Sequence, residues 1–127
     1  MARTASGLHL FVRYWLPALL YVAAIVMVSA QPQLRPPVQF QSADKWYHLI
    51  EYFGLGLVMV RAIRASLGYG KLLTSAFLAL GIGIVLAIGD ELFQSTVPGR
   101  TSSHLDVMAD VAGLVCAQLV YMWFAKE

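Results

Sequence analysis

The chain has 127 residues, of which 59% are hydrophobic and only 13% are charged, with a net charge of +2. Soluble domains average roughly a quarter charged residues, so this composition excludes an ordinary soluble domain. A helix that spans a membrane needs about 20 mostly apolar residues, and the sequence holds four apolar segments that approach this length. We therefore expect an all-α membrane protein, a single domain over residues 1–127 that forms a bundle of four transmembrane helices.

The first predicted span covers residues 14–30 and follows Arg3 and Arg13. It ends in the tripeptide Val-Ser-Ala, which resembles the cleavage site of a secretory signal peptide. This segment therefore has two interpretations, a signal peptide that is cleaved off or a transmembrane helix that stays in the mature protein, and we favour the transmembrane helix. The segment that follows, Gln31 to Ser42, contains three prolines and is predicted to be an extended loop.

The second predicted span, residues 46–63, starts with polar side chains that recur every three or four residues. Residues at this spacing share one face of a helix, here the face of Asp44, His48, Glu51 and Tyr52. A carboxylate that faced lipid would be costly. This face is therefore predicted to turn toward the other helices.

The third predicted span, residues 72–92, carries no charged residue before position 90. Small residues recur in it every four positions, at Ser75, Ala79, Gly83 and Ala87. That spacing lets membrane helices approach one another closely, so we expect this stripe to pack against a neighbouring helix.

The third span runs into the polar stretch GDELFQSTVPGR. Asp90 or Glu91 lines up with Gln94 on one helix face. The Pro-Gly turn is predicted to bring Arg100 back over the helix end. There we expect Arg100 to pair with Glu91, or with Asp106 as the second candidate, because the planar guanidinium engages a carboxylate through two hydrogen bonds.

The fourth predicted span, residues 106–124, opens with a polar and small-residue stripe on one face. The stripe consists of Asp106, Asp110, Gly113 and Ala117. We expect Ser102 or Ser103 to cap this helix, because serine side chains accept hydrogen bonds from the first free backbone N–H groups.

Basic residues predict the orientation of the bundle. Four spans would place both termini and the loop after the second span on one side, with six Lys and Arg residues against three on the other. The positive-inside rule then predicts that both termini are cytoplasmic. Every acidic residue except Glu127 falls at or near the opposite, outer side, and we expect these acids to form one shared polar site.

Three motifs of the outer side resemble the VanZ-like family, small bacterial membrane proteins named after a teicoplanin-resistance protein. They read D-K-x-x-H, D-E-x-x-Q-x-x-x-P-G-R and D-x-x-x-D-x-x-G, and the resemblance covers roughly residues 44–124. The matching positions are Asp44, Lys45, His48, Glu91, Gln94, Pro98, Gly99, Arg100, Asp106, Asp110 and Gly113. Asp110 stands where the family usually has Asn. We therefore do not assign to Asp110 the role that the family's Asn has at this position.

The resemblance implies a multi-pass protein of the bacterial cytoplasmic (inner) membrane with a role in the cell envelope. For the family's namesake it implies antibiotic resistance, as lowered sensitivity to a lipoglycopeptide. The resemblance supplies no established reaction, so whether the chain is an enzyme stays open.

The expected outer site has two catalytic candidates, His48 and Glu91, because histidine titrates near neutral pH and suits acid–base work beside a carboxylate. The ligand-binding candidates are Asp44, Lys45, Glu51, Tyr52, Asp90, Gln94, Arg100, Asp106 and Asp110. With all its acids ionised, such a cluster would repel a bare phosphate. Either some carboxylates are protonated, or a cation sits among them, or they pair with basic residues and hydrogen-bond donors.

A divalent cation is the candidate cofactor, and oxygen-rich clusters suit Mg²⁺ or Ca²⁺. Zinc is not expected, because His48 and His104 have no third nitrogen or sulfur ligand nearby in the sequence. Membrane lipids are the expected partners, no nucleic acid is expected, and an oligomer or larger membrane complex stays open.

Three functions fit these observations. The first is an enzyme or binding site for a lipid-linked envelope precursor, with a divalent cation that bridges carboxylates to a phosphate. The second is a non-catalytic accessory subunit whose polar cluster only holds the helices together. The third is a transporter whose carboxylates relay protons or cations.

Overall fold

The computed structural model describes residues 6–32 and 42–126, and every regular element within these ranges is helical. The all-α prediction is therefore confirmed for this part of the chain. The long helices are α1 (Gly7–Ser29), α2 (Ala43–Leu67), α3 (Leu72–Gln94) and α4 (His104–Phe124). Arg3, Arg35 and Glu127, which entered the charge pattern, lie outside the described residues, as do residues 33–41 of the predicted outer loop.

Three of these helices, α1, α3 and α4, are long and apolar enough to cross a membrane. Helix α2 is not among them, because five charged side chains interrupt its apolar residues. Composition alone therefore does not identify α2 as a span. It nevertheless lies at the centre of the fold and packs against each of the other three helices.

The local sequence accounts for where the helices bend, begin and end. In α1, a π-helical segment, Phe11–Trp15, comes just before Pro17, which lacks the backbone N–H needed to continue the regular pattern. Helix α2 stops at Gly68, whose φ of +106° suits glycine. Helix α4 starts where the Ser103 side chain accepts a hydrogen bond from the backbone N–H of Leu105 at 3.1 Å, so the predicted cap is confirmed.

Contacts at the two ends show that the helices alternate in direction. The Trp15 indole near the start of α1 donates to the Ser66 hydroxyl near the end of α2 at 2.8 Å. At the opposite end, Lys45 at the start of α2 contacts Asp106 at the start of α4. The same end holds the last turns of α1 and α3, and we call it the polar end.

The predicted small-residue stripe of α3 is confirmed, because all four of its residues are buried. Leu114 of α4 fills the space over Gly83, where an added Cβ would lie 2.5 Å from Leu114 Cδ2. The stripe of α4 is buried as well, and it packs against α2. A Cβ on Gly56 of α2 would lie 2.6 Å from the Cβ of Ala117.

The outer faces of the helices are apolar, as a lipid environment requires. On α3 the exposed residues include Leu73, Phe77, Val85 and Leu92. Helix α1 is the most peripheral of the three apolar helices, since 11% of its most apolar stretch is buried against 28% for α3 and α4.

We expect Gly113→Ala to lower the melting temperature in detergent by several degrees. A Cβ at this position would collide with the backbone carbonyl of Leu49 and the backbone nitrogen of Phe53, which cannot move unless α2 and α4 separate. Overpacking typically costs about 1–3 kcal/mol, more than the roughly 1 kcal/mol that alanine gains over glycine in a helix. Gly81→Ala is the matched control, since a Cβ there meets nothing within 4 Å. Equal melting temperatures for the two variants would contradict the close approach.

Candidate functional site

The eleven candidate residues from the sequence converge on the polar end. They come from the first three turns of α2, the first two turns of α4, the end of α3 and the turn that follows it. Buried among them are Tyr52, Asp90, Glu91, Gln94, Asp106 and Asp110, while Lys45, His48, Glu51 and Arg100 are partly buried and Asp44 is exposed. The predicted inward placement therefore holds for the acids of the helices except Asp44, which is exposed, whereas the roles of the eleven residues stay predictions.

Lys45, at the start of α2, contacts two carboxylates at the polar end. Its ammonium group lies 2.7 Å from Asp44 Oδ2 on its own helix and also contacts Asp106 of α4. Both Asp44 and Lys45 precede the predicted second span. The hydrogen bond from Lys45 holds the pKa of the Asp44 carboxyl below its ordinary value.

His48 is fixed by carboxylates of α4 on both sides of its ring. Its Nδ1 lies 2.9 Å from Oδ1 of Asp110, a residue with no exposed surface, and its Nε2 lies 3.9 Å from Oδ2 of Asp106. When Asp110 is ionised it can only accept a hydrogen bond, so Nδ1 carries the proton in the neutral imidazole. The lone pair on Nε2 then faces Asp106.

Glu91 links the end of α3 to the start of α4. Its Oε1 accepts a hydrogen bond from the backbone N–H of Ser103 at 2.6 Å, next to the side-chain cap of the helix. Its Oε2 is buried and has no hydrogen-bond partner among the described residues. One carboxylate oxygen of Glu91 is therefore structural and the other is free.

The predicted ion pair of Arg100 with Glu91 or Asp106 is wrong. Within residues 6–32 and 42–126, Arg100 forms no ion pair, and its buried Nε has no hydrogen-bond partner. The expected partners are only partly available, because Asp106 is paired with Lys45 and Glu91 Oε1 is taken by the Ser103 backbone, while the free Glu91 Oε2 lies outside salt-bridge distance of the guanidinium.

A second buried network ties α1 to α3, and the sequence did not predict its first member. The Ser29 hydroxyl donates to Asp90 Oδ1, while the Gln94 amide donates to Ser29 Oγ at 3.2 Å and to Asp90 Oδ2 at 3.1 Å. The expected alignment with Gln94 thus involves Asp90. Ser29 lies in the tripeptide that resembled a cleavage site, and no local pattern distinguishes it from a helix-end serine.

Tyr21 is another residue that the sequence did not single out. Its hydroxyl donates to the backbone carbonyl of Glu51 at 2.6 Å, and its ring packs where Gly54 lacks a side chain. Tyr52, by contrast, is a fully buried core residue. Its hydroxyl donates a long hydrogen bond of 3.4 Å to the Leu86 carbonyl.

These side chains surround a cavity of about 430 Å³ at the polar end, which we call the polar-end cavity. Its polar lining residues include Ser29, Asp44, His48, Glu51, Gln94, Arg100 and Asp106, and its apolar ones include Val28 and Ile50. The cavity therefore offers both a cation and carboxylates, beside an apolar rim.

Among the described residues, one group has the spacing of a metal site. His48, Glu91 and Asp106 each offer one ligand atom, and these atoms lie within 4.8 Å of one another. His104 is not part of the group and lies exposed at the start of α4.

A family model described as VanZ/LLP1 matches residues 5–125 of the chain. This match covers all four helices, including α1, which the three sequence motifs did not reach. No curated protein and no solved structure gives a significant match.

We expect Ser29→Ala to lower the melting temperature in detergent, because it removes a buried hydrogen bond to a carboxylate, worth about 1.5–3 kcal/mol. The control is Ser95→Ala, whose exposed hydroxyl bonds only to the carbonyl of Leu92 in its own helix. A double-mutant cycle with Asp90→Asn would isolate the coupling between Ser29 and Asp90. Zero coupling, or equal losses for both serine variants, would show that the network does not hold α1 in place.

Proposed function

We propose that this protein, which belongs to the VanZ-like family, binds a phosphate-bearing lipid of the bacterial cell envelope in its polar-end cavity. Family membership and the three apolar helices identify a membrane protein, and the family suggests an envelope role related to glycopeptide resistance. The proposal adds the location of the site, the chemistry of its ligand and the placement in the bacterial cytoplasmic membrane.

The proposed topology has four spans, with α2 as the second, and both termini in the cytoplasm. The alternating directions of the helices support it, because the polar residues of all four then meet at one membrane surface. The basic residues at the opposite end support the orientation. Arg13, Arg61, Arg64 and Lys71 lie there, and positively charged loops favour the cytoplasmic side.

The observation that carries the ligand proposal is the unpaired Arg100. Its side chain lines the cavity and is partly buried, yet it forms no ion pair with any described carboxylate. Its Nε is buried and has no hydrogen-bond partner among the described residues, so an anion in the cavity would complement the guanidinium. The planar guanidinium matches the oxygens of a phosphate through paired hydrogen bonds.

Two apolar features of the bundle favour a lipid over a free phosphate. Val28 and Ile50 give the cavity an apolar rim. A second cavity of about 360 Å³ lies between α1, α2 and α3, with an almost entirely apolar lining that includes Val22, Ile25 and Leu55. An alkyl or prenyl chain fits such a lining, since ligand pockets combine apolar walls with a few placed polar groups.

A structural role as an accessory subunit is the second candidate function, and a specific observation favours it. Most buried polar groups of the polar end are engaged with one another, through Lys45 with Asp106, His48 with Asp110 and Ser29 with Asp90. Such pairings hold four helices together without any ligand. A measurement of lipid binding distinguishes the two candidate functions, because a purely structural role requires no ligand.

We expect the purified protein in detergent to bind a polyprenyl phosphate, and Arg100→Ala to weaken that binding about 10- to 100-fold. This loss corresponds to the roughly 1.5–3 kcal/mol of a hydrogen bond to a charged group. Native mass spectrometry over a lipid titration measures the affinity, and Arg61→Ala, at the opposite end of the bundle, is the matched control. If the neutral polyprenol binds as well as the phosphate, or Arg100→Ala binds unchanged, the ligand proposal is wrong and the structural role is favoured.

We expect a membrane-impermeant maleimide to label Ser102→Cys in intact cells, and to label Gly70→Cys only after the membrane is opened. Both positions are exposed and lie at opposite ends of the bundle. Cys116 is exposed on α4 and is replaced by serine in both variants. Labelling of Gly70→Cys alone in intact cells would reverse the proposed orientation.

A further inference from the structure

Three side chains from three different helices present ligand atoms to one point of the polar end. They are His48 of α2, Glu91 of α3 and Asp106 of α4, with one ligand atom from each inside a 4.8 Å spread. We infer that these three residues bind one divalent metal ion, and that Asp110 is a positioning residue that holds the imidazole of His48 toward it.

Each of the three ligands is anchored through one atom, which leaves another atom free. His48 Nδ1 is held by Asp110 at 2.9 Å, and Glu91 Oε1 by the backbone N–H of Ser103 at 2.6 Å. Asp106 Oδ1 is held by Lys45. The remaining atoms are His48 Nε2, Asp106 Oδ2 and Glu91 Oε2, of which the first two lie 3.9 Å apart. In each side chain, the hydrogen-bonded atom thus fixes the direction of the free atom, which is the one available to a metal ion.

The free oxygen of Glu91 points independently to a missing ligand. Glu91 is only 7% exposed, and its Oε2 is buried without a hydrogen-bond partner in the described part of the chain. A buried carboxylate oxygen normally has a partner. A cation bound between Glu91 and Asp106 satisfies this oxygen and offsets the repulsion between two neighbouring carboxylates.

The contact of His48 with Asp110 is the arrangement that metal-binding histidines commonly have. A histidine ligand usually donates its other ring N–H to a carboxylate, which fixes the tautomer and the ring orientation. Asp110 is fully buried and lies 2.9 Å from His48 Nδ1. When Asp110 is ionised and accepts from Nδ1, the lone pair of the neutral imidazole is on Nε2, the atom that would bind a metal.

The ligand set favours a metal that accepts both nitrogen and oxygen. Mg²⁺ and Ca²⁺ prefer all-oxygen sites, whereas one imidazole with two carboxylates suits Mn²⁺, Fe²⁺ or Zn²⁺. The structure adds no third nitrogen or sulfur ligand, but it places the carboxylates of Glu91 and Asp106 beside the imidazole of His48. Metal ions lie about 2.0–2.2 Å from nitrogen and oxygen ligands, so neighbouring ligand atoms on one ion lie about 3 Å apart. The three side chains, now within 4.8 Å of one another, must close onto the ion when it binds.

Three protein ligands leave coordination positions open, as in catalytic metal sites. His48 and Asp106 both line the polar-end cavity, so an open position faces the space where Arg100 lies. In this respect the inference deepens the proposed function, and it rests on that function only for the identity of the ligand. A phosphate oxygen on the metal would then share the cavity with the guanidinium.

The test is metal binding by the full chain, purified in detergent and freed of metal with a chelator. Titration with Mn²⁺, followed by the electron paramagnetic resonance signal of the free ion, is expected to give one bound ion per chain. His48→Ala, Glu91→Gln and Asp106→Asn should each weaken Mn²⁺ binding at least tenfold, and Asp110→Asn by about 10–100-fold as a positioning residue. His104→Ala is the matched histidine control and should bind as the parent protein does.

Two further measurements distinguish the loss of a metal ligand from unfolding, and the metal site from the proposed lipid site. Mn²⁺ should raise the melting temperature of the parent protein but not that of Glu91→Gln, so a variant that unfolds is recognised as such. Arg100→Ala should keep Mn²⁺ binding while it loses polyprenyl phosphate, which separates this inference from the proposed function. Absence of stoichiometric Mn²⁺ or Zn²⁺ binding by the parent protein, or an equal loss in His104→Ala, overturns the metal site.

Discussion

The backbones of α2 and α4 can approach closely only because Gly113 has no side chain where it meets the Leu49 carbonyl and the Phe53 nitrogen. This contact sets the distance between the two helices, which have the most extensive interface in the fold. The same separation brings Lys45 to Asp106 and His48 to Asp110. The small residues of this interface thus allow the polar side chains one and two turns closer to the polar end to meet across it.

The polar end also shows how a chain of this composition places several carboxylates in an apolar bundle. Each buried acid has at least one oxygen engaged by a group from another helix or from a loop. The partners of Asp90, Glu91, Asp106 and Asp110 are respectively Ser29, the Ser103 backbone, Lys45 and His48. Buried ion pairs such as Lys45 with Asp106 add little net stability, but all of these contacts fix the orientation of each side chain, which a binding site requires.

Four side-chain atoms are buried without a partner among the described residues, namely Arg100 Nε, Glu91 Oε2, Asp110 Oδ2 and Gln118 Oε1. The first two belong to side chains of opposite charge, and an amphiphilic ligand with a phosphate and a metal ion would satisfy both of them. The apolar rim of the cavity and the lipid-facing surfaces of the helices are consistent with a ligand that arrives from the membrane rather than from water.

The sequence by itself determined the helical class, the apolar character of α1, α3 and α4, the buried stripe that ends at Ala87 and a serine cap at Ser102 or Ser103. These features depend on residues that are near neighbours along one helix, so spacing is sufficient to predict them. It also identified the family through motifs that lie at helix ends. The motifs located the candidate residues but did not say which of them touch.

Only the tertiary structure decided the partners. Arg100 was expected to meet Glu91, yet Glu91 bonds to the Ser103 backbone, and Ser29 of α1 joined Asp90 without any local signal. The proposed metal ligands His48, Glu91 and Asp106 likewise come from α2, α3 and α4 and must lie at the same level of the bundle. Such contacts depend on the rotation and relative height of separate helices. Those quantities are fixed by packing between helices, which the periodicity of one segment does not contain.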